Sequence, residues 1–246
     1  MAILMYHHIG ACPVSSTEHR GLWVAPTLFE AHLEWFRQHG YRALTVSEVA
    51  DALVHNPKEL RAKWIALTFD DGWYDNYTEA FPLLKRFGFR ATFYVTTGRI
   101  RSGDPTGSPE DMMSAAELCE LAQEGNEIGA HTRTHPRLTR LDNEQAVGEI
   151  AGSREDLANI LGEAPRTFAY PYGNVSKRIA NLVRASEFEA AVSTIRDNRV
   201  SVEQLYWLPR VMIMGDTLPS KLSYLLSWSY HILHLCKNVG RWKGIK

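Results

Sequence analysis

Short runs of apolar, β-branched and aromatic residues alternate along the chain with stretches whose apolar positions recur at helical spacing. That alternation predicts an α/β fold, a parallel sheet whose strands are joined by crossover helices. Strands are expected at Ile3–Tyr6, Trp64–Phe69, Ala91–Val95, Glu127–Ala130, Thr167–Tyr170 and Ala190–Thr194. Leu28, Phe29, His32, Leu33 and Phe36 mark one helix closed by Gly40, and Thr45-Val46-Ser47-Glu48 starts the next with a cap. A further helix runs from Tyr77 to Phe87 and ends at Gly88. Residues 101–109 show no apolar period and read as an exposed loop before a helix starting near Ser114. No repeat or Pro/Ser linker divides the chain, so residues 1–217 form one expected catalytic unit, followed by a C-terminal amphipathic helix and basic tail over 218–246.

Composition narrows the function classes. A length of 246 residues suits one large domain, and 45% hydrophobic with 22% charged residues excludes a disordered chain. A net charge of -1 excludes a strongly basic protein that coats nucleic acid, so no nucleic-acid partner is expected. Three scattered cysteines, Cys12, Cys119 and Cys236, build neither a disulfide framework nor a thiolate zinc site, which points to a reducing, cytoplasmic setting. The opening MAILMYHHIG has no basic flank and its apolar run breaks at His7, so it reads as a strand and not a signal peptide. Leu222 to Cys236 is interrupted by serines and histidines and falls short of the roughly 20 apolar residues a bilayer span needs.

Candidate chemistry sits where strands end. The run Ile65–Phe69 leads into Asp70-Asp71-Gly72, placing two carboxylates at the carboxyl end of a parallel strand, where ligand crevices lie. The bland alternative is a helix cap plus a solvated acid. After the next strand but one comes His131-Thr132-Arg133-Thr134-His135, two imidazoles four residues apart on a helical turn or compact loop. Two His and one carboxylate form a set that holds Zn²⁺ or another divalent first-row ion with positions left open, and Asp71 can complete it. The second aspartate is then useful for remaining uncoordinated, as a base toward water in amide or ester hydrolysis. Phe168-Ala169-Tyr170-Pro171-Tyr172-Gly173 makes a rigid strand-ending turn that is either ordinary structure or the source of a backbone N–H for an oxyanion, with Tyr172 as donor.

LTFDDG at 67–72, HTRTH at 131–135 and FAYPYG at 168–173 resemble, in order and spacing, the first three motifs of the polysaccharide deacetylases of carbohydrate esterase family 4. The resemblance implies a distorted, incomplete (β/α) barrel and removal of acetyl groups from N-acetylated sugars. It implies Asp70 as general base, Asp71, His131 and His135 as ligands of one divalent metal ion, Zn²⁺ by its donor set, and Tyr172 as the oxyanion N–H. Two departures stand out. Ala169 occupies the place of a family arginine, and the Asp-x-x-Asp-Trp motif that holds that arginine is missing with it. Arg210 either replaces that guanidinium beside Asp70 or forms a surface salt bridge. No Leu-His motif for the general acid follows Arg210, but His7, directly after the first strand, can supply it, as in circularly permuted members such as the poly-N-acetylglucosamine deacetylases. His8 is expected to point away if the strand continues, and His8, His19, His32, His39 and His55 are assigned to packing or solvent.

The leading expectation is a metal-dependent N-deacetylase acting on an acetamido sugar in a glycan or lipid-linked glycan precursor. Alternatives are an amidohydrolase for another amide or cyclic imide, and a carbohydrate-binding protein without activity. Beyond Asp216 the chain carries no acidic residue and five basic ones, Lys221, Lys237, Arg241, Lys243 and Lys246. Asp216 or Thr217 would cap a helix with Pro219 in its first turn and a stripe of Leu222, Leu225, Leu226, Ser229, Ile232, Leu233 and Cys236. With Trp228, Tyr230 and Trp242, this helix either packs on the barrel or makes peripheral contact with an anionic membrane at its inner face.

Overall fold

A computed structural model describes residues 1–13, 20–56, 58 and 63–243. His19 and Lys246 lie outside the described residues, as do the side chains of Cys236, Arg241, Trp242 and Lys243.

Seven parallel strands close into a barrel: β1 (Ala2–Tyr6), β5 (Trp64–Phe69), β6 (Thr92–Val95), β7 (Glu127–Ala130), β8 (Thr167–Ala169), β9 (Ala190–Arg196) and β10 (Leu208–Met212). The ring closes because β1 pairs with β5 along its whole length on one side and with β10 on the other. The chain's first strand thus fills the gap between β5 and the last strand, β10, which makes the start of the sequence part of the barrel wall. An eighth parallel strand, β4 (Arg42–Leu44), pairs with the first half of β5, whose last two residues pair with β6. The short β2 (His8–Ile9) and β3 (Trp23–Val24) form a separate pair above the barrel. Burial on every residue of β1 and β8 fits a parallel sheet covered on both faces.

The helices form where capping and periodicity agree. Helix α1 (Pro26–Gln38) buries Phe29, His32, Leu33 and Phe36. Thr45 and Glu48 make a reciprocal capping box at the start of α2 (Val46–His55), as the sequence predicts, and Ser114 with Glu117 does the same for α4 (Ala115–Gln123). The helix expected over 77–87 divides into a π-turn at Asn76–Ala80 and α3 (Phe81–Phe87), which Gly88 ends in the left-handed conformation. Helices α5 (Asn143–Leu161) and α6 (Lys177–Ala185) complete the crossovers.

The C-terminus differs from expectation. Instead of one helix there are two, α7 (Pro219–Leu225) and α8 (Trp228–Lys243), and neither Asp216 nor Thr217 caps them: Leu218 holds the N-cap position without a side-chain bond. The Thr217 hydroxyl is already engaged by the Met214 N–H, closing the turn after β10. Leu222 and Tyr230 join the core, so this segment is fastened to the barrel.

Candidate metal centre and active-site cavity

The two strand-end acids meet different partners because the backbone turns sharply after β5. Asp71 lies at φ 80° and Gly72 at φ 91°, both in the left-handed region. Thr132 and His135 in the loop after β7, and Tyr172 after β8, share that conformation, so among the described residues four of the five non-glycine residues with positive φ gather at this one place. Such conformations are uncommon outside glycine and persist only where surrounding contacts hold them. Here the holding contacts are visible. Thr96 donates its N–H to the Asp71 carbonyl, Thr132 Oγ1 accepts the His135 N–H, and Glu149 accepts the N–H groups of Arg133 and Thr134. Arg133 is clamped on α5 by Asp156, in a space that a side chain at Gly152 would fill.

The 131–135 segment is therefore a compact loop and not a helical turn, and it brings both imidazoles to one carboxylate. Asp71 Oδ1 lies 3.2 Å from His135 Nε2 and 3.5 Å from His131 Nε2. The Nδ1–H of His131 donates to the Ala169 carbonyl at 2.7 Å, which orients the ring and leaves Nε2 as the ligand atom. The three donor atoms lie within 4.8 Å of one another, and this donor set can hold a metal ion. Burial works against the Asp71 charge, but hydrogen bonds from His131 and His135 outweigh it and hold the carboxyl well below the usual range. Burial likewise works to lower the His131 pKa, yet Asp71 and Asp70 leave it raised.

Asp70 takes no part in that cluster. It is buried against Arg210, itself 1% exposed, in a bidentate pair with both oxygens at 2.7 Å. The guanidinium is fixed from behind by the Ser193 carbonyl at 2.9 Å and Thr68 Oγ1 at 3.0 Å. Burial acts to raise the Asp70 pKa; the charge and hydrogen bonds of Arg210 prevail and lower it. Arg210 is no surface salt bridge, and it stands behind Asp70 and not in the cavity wall, which makes it a positioning residue. Arg210→Met is expected to leave Asp70 buried without its cation. Its pKa then rises, so the acid limb of the rate profile moves to higher pH, and removing one partner of a buried pair destabilises the fold by about 3–5 kcal/mol. A pH–rate profile with a thermal melt checks both.

Above these groups opens a cavity of about 560 Å³ whose wall includes His7, Asp70, Asp71, His131, His135 and Tyr172. His7 is partly buried, and desolvation lowers its pKa despite the opposing carboxylates of Asp71 and Asp70. The two backbone bonds of the turn after β8 run from Gly173 to Tyr170 and from Asn174 to Pro171, and neither uses the Tyr172 N–H. The Tyr172 ring rests on His135 and under the Arg137 guanidinium.

His8 corrects an expectation. β1 ends at Tyr6, and the chain begins a new pairing at His8, so strand alternation does not carry across His7. His8 lines the cavity instead of pointing away, stacked between Trp23 and Trp73 with Nδ1 donating to Asp75 at 2.7 Å. Trp73 in turn donates its indole N–H to Asp71 Oδ2 at 3.0 Å, and Asn76 donates to the His7 carbonyl at 2.7 Å. The segment Trp73–Asn76 thus orients both a candidate ligand and the His7 backbone. The only signal for it in the sequence is its position directly after DDG. Just after the loop expected over 101–109, Met112 pairs with Trp73 and Glu110 stands in the cavity wall.

The polysaccharide deacetylase family profile matches residues 57–191, more than half of the chain. This chain belongs to that family. YxkH of Bacillus subtilis (strain 168), a provisionally named polysaccharide deacetylase, is 30% identical over 213 residues, covering 87% of this chain and 71% of that protein. The poly-beta-1,6-N-acetyl-D-glucosamine N-deacetylase of Staphylococcus aureus (strain MSSA476) is 25% identical over 211 residues, covering 82% and 71%. Among solved structures, the Streptococcus pyogenes deacetylase PplD in complex with acetate matches with a TM-score of 0.83 at 28% identity, covering 92% of this chain and 98% of that one. The barrel is the (β/α) barrel of the polysaccharide deacetylases.

Proposed function

We propose that this chain is a metal-dependent N-deacetylase that hydrolyses the acetamido group of an N-acetylated sugar in a glycan or lipid-linked glycan precursor. The observation that carries this reading is the division of labour between adjacent acids: Asp71 converges with His131 and His135, while Asp70 is withheld from them by Arg210. A divalent ion held by Asp71, His131 and His135, Zn²⁺ by the donor set, supplies Lewis acidity toward water and the amide carbonyl. Asp70, kept ionised by Arg210, is placed to accept a proton from attacking water. The Tyr172 N–H is placed to stabilise the charge that develops on the carbonyl oxygen. His7 carries the proton to the departing amine, and its lowered pKa makes the imidazolium a stronger acid. Because His7 must act protonated, activity falls as pH rises through a value below that of an ordinary imidazole. Trp23, Trp73 and Tyr172 line the cavity with aromatic faces suited to the apolar faces of sugar rings. The named N-deacetylase among the relatives, and acetate bound to the related PplD, support the choice of an acetamido substrate.

Acetate release from N-acetylglucosamine oligomers by the metal-loaded protein tests the activity; no release from any N-acetylated oligomer, with turnover of cyclic imides, would replace it by the amidohydrolase reading. His7→Ala is expected to depress turnover of amides on the order of 10²-fold, and of activated esters far less, since their leaving groups need little protonation. Equal loss on both substrates would remove His7 from the acid role.

A further inference from the structure

The outward face of the C-terminal helices is built the wrong way round for a protein in water alone. Among the described side chains of α8, Tyr230, His234 and Asn238 are buried against the barrel. They are held there by specific polar bonds: His231 Nδ1 donates to Asp197 at 2.8 Å, and the Asn238 amide donates to the Arg196 carbonyl at 2.8 Å. The turn between α7 and α8 is pinned by Asn198, whose amide donates to the Leu225 and Ser227 carbonyls. What faces water is the apolar side. Leu218, Tyr224, Trp228, Ile232 and Leu233 are between 43% and 56% exposed, and they make up five of the nine exposed large hydrophobic residues among those described. An ordinary surface helix shows the reverse distribution, and a concentration of exposed large apolar residues in one segment marks an interaction site.

Charge says what would cover it. All five Lys, Arg, Asp or Glu residues after Asp216 are basic, while the whole chain has a net charge of only -1. Lys237 is exposed on α8, Lys221 is exposed on α7 and paired with Asp216 at 3.2 Å, and the Arg199 guanidinium lies 3.9 Å from the centre of the Trp228 ring. Pairing of this face with a second copy of itself would bring like charges together. No helix of the described residues is long and apolar enough to cross a membrane, so a spanning role is not at issue. We infer that α7 and α8 form an interfacial docking surface for an anionic lipid bilayer: Trp228, Ile232 and Leu233 enter the headgroup boundary and the flanking lysines and arginines engage lipid phosphates. Asn238, toward the far end of α8, is bonded to the carbonyl of Arg196, the last residue of β9, whereas the turn before Trp228 borders a cleft with Met1 at the start of β1.

The test is co-sedimentation of the full chain with vesicles of phosphatidylglycerol and phosphatidylcholine, or phosphatidylcholine alone, at low and moderate salt. Binding is expected to the anionic vesicles and to weaken with salt. A triple variant, Trp228→Ser with Ile232→Ser and Leu233→Ser, and a charge variant, Lys221→Gln with Lys237→Gln, should each partition on the order of tenfold more weakly. Both should keep the wild-type circular dichroism and rate on a soluble oligosaccharide. Because the substituted residues lie outside the cavity wall, failure of lipid binding with normal deacetylation overturns this inference alone. It is also overturned if the folded wild type ignores anionic vesicles at low salt, if both variants bind as tightly as wild type, or if the face proves to be buried in a dimer that the triple variant dissociates.

Discussion

His135→Ala is expected to bind a divalent ion far more weakly than wild type and to lose on the order of 10³-fold in kcat/KM, about 4 kcal/mol of transition-state stabilisation. His135 is the better residue to replace, because His131 also supports Ala169 through its Nδ1–H, and removing it would leave a buried carbonyl unpaired. Metal content after dialysis and the metal-induced rise in melting temperature check the first part. Wild type should gain about 2.7 kcal/mol when the ion is a hundredfold above its Kd, and the variant little at the same concentration. Protons compete for the same atoms. The folded His131 pKa is raised by Asp71 and Asp70 against the effect of burial, so metal-free protein carries a stabilising His131–Asp71 pair below the unfolded pKa, and loses it as pH rises through the folded value. Metal stabilisation should run the other way, growing as pH rises and His131 gives up its proton. Full metal occupancy and unchanged activity in both His131→Ala and His135→Ala would remove the ligand assignment.

Asp70→Asn should retain the metal and lose on the order of 10²- to 10⁴-fold in rate, the usual contribution of a positioned acid–base group. The variant also leaves Arg210 as a buried cation facing a neutral amide, so part of any loss will come from weaker folding. The double variant Asp70→Asn with Arg210→Met separates the two effects: it should recover stability relative to Asp70→Asn and recover no activity. The Asp70 pKa is lowered by Arg210 against burial, so in the wild type this pair contributes stability above the unfolded carboxyl pKa, and that stability is lost as pH falls through the folded value. Asp70→Asn should therefore flatten the acid side of the stability profile. Wild-type turnover in a folded Asp70→Asn protein would end the base assignment.

Much of this was legible in the chain. Six strands of the barrel announced themselves because parallel strands covered on both faces are continuous apolar runs, and the cap at Thr45 was readable because it depends on residues three apart. DDG, HTRTH and the Pro-Tyr-Gly turn stood at strand ends, where a parallel barrel must expose its side chains, so the site's membership followed from pattern and fold class together. What local pattern could not hold was any relation between distant segments. Arg210 meets Asp70 across 140 positions of sequence only because β1 enters between β5 and β10 and closes the ring. His8 reaches the cavity because the chain starts a new strand pairing after Tyr6, an event that no alternation of side chains encodes. The C-terminal stripe showed the converse limit. Spacing revealed that α8 is amphipathic, but which side faces the barrel was decided by partners on other elements, Asp197 and the Arg196 carbonyl, which draw His231 and Asn238 inward and leave Ile232 and Leu233 outside. Periodicity reports on a single element, whereas orientation and pairing are properties of two, and only the packed tertiary structure brings the second one into contact.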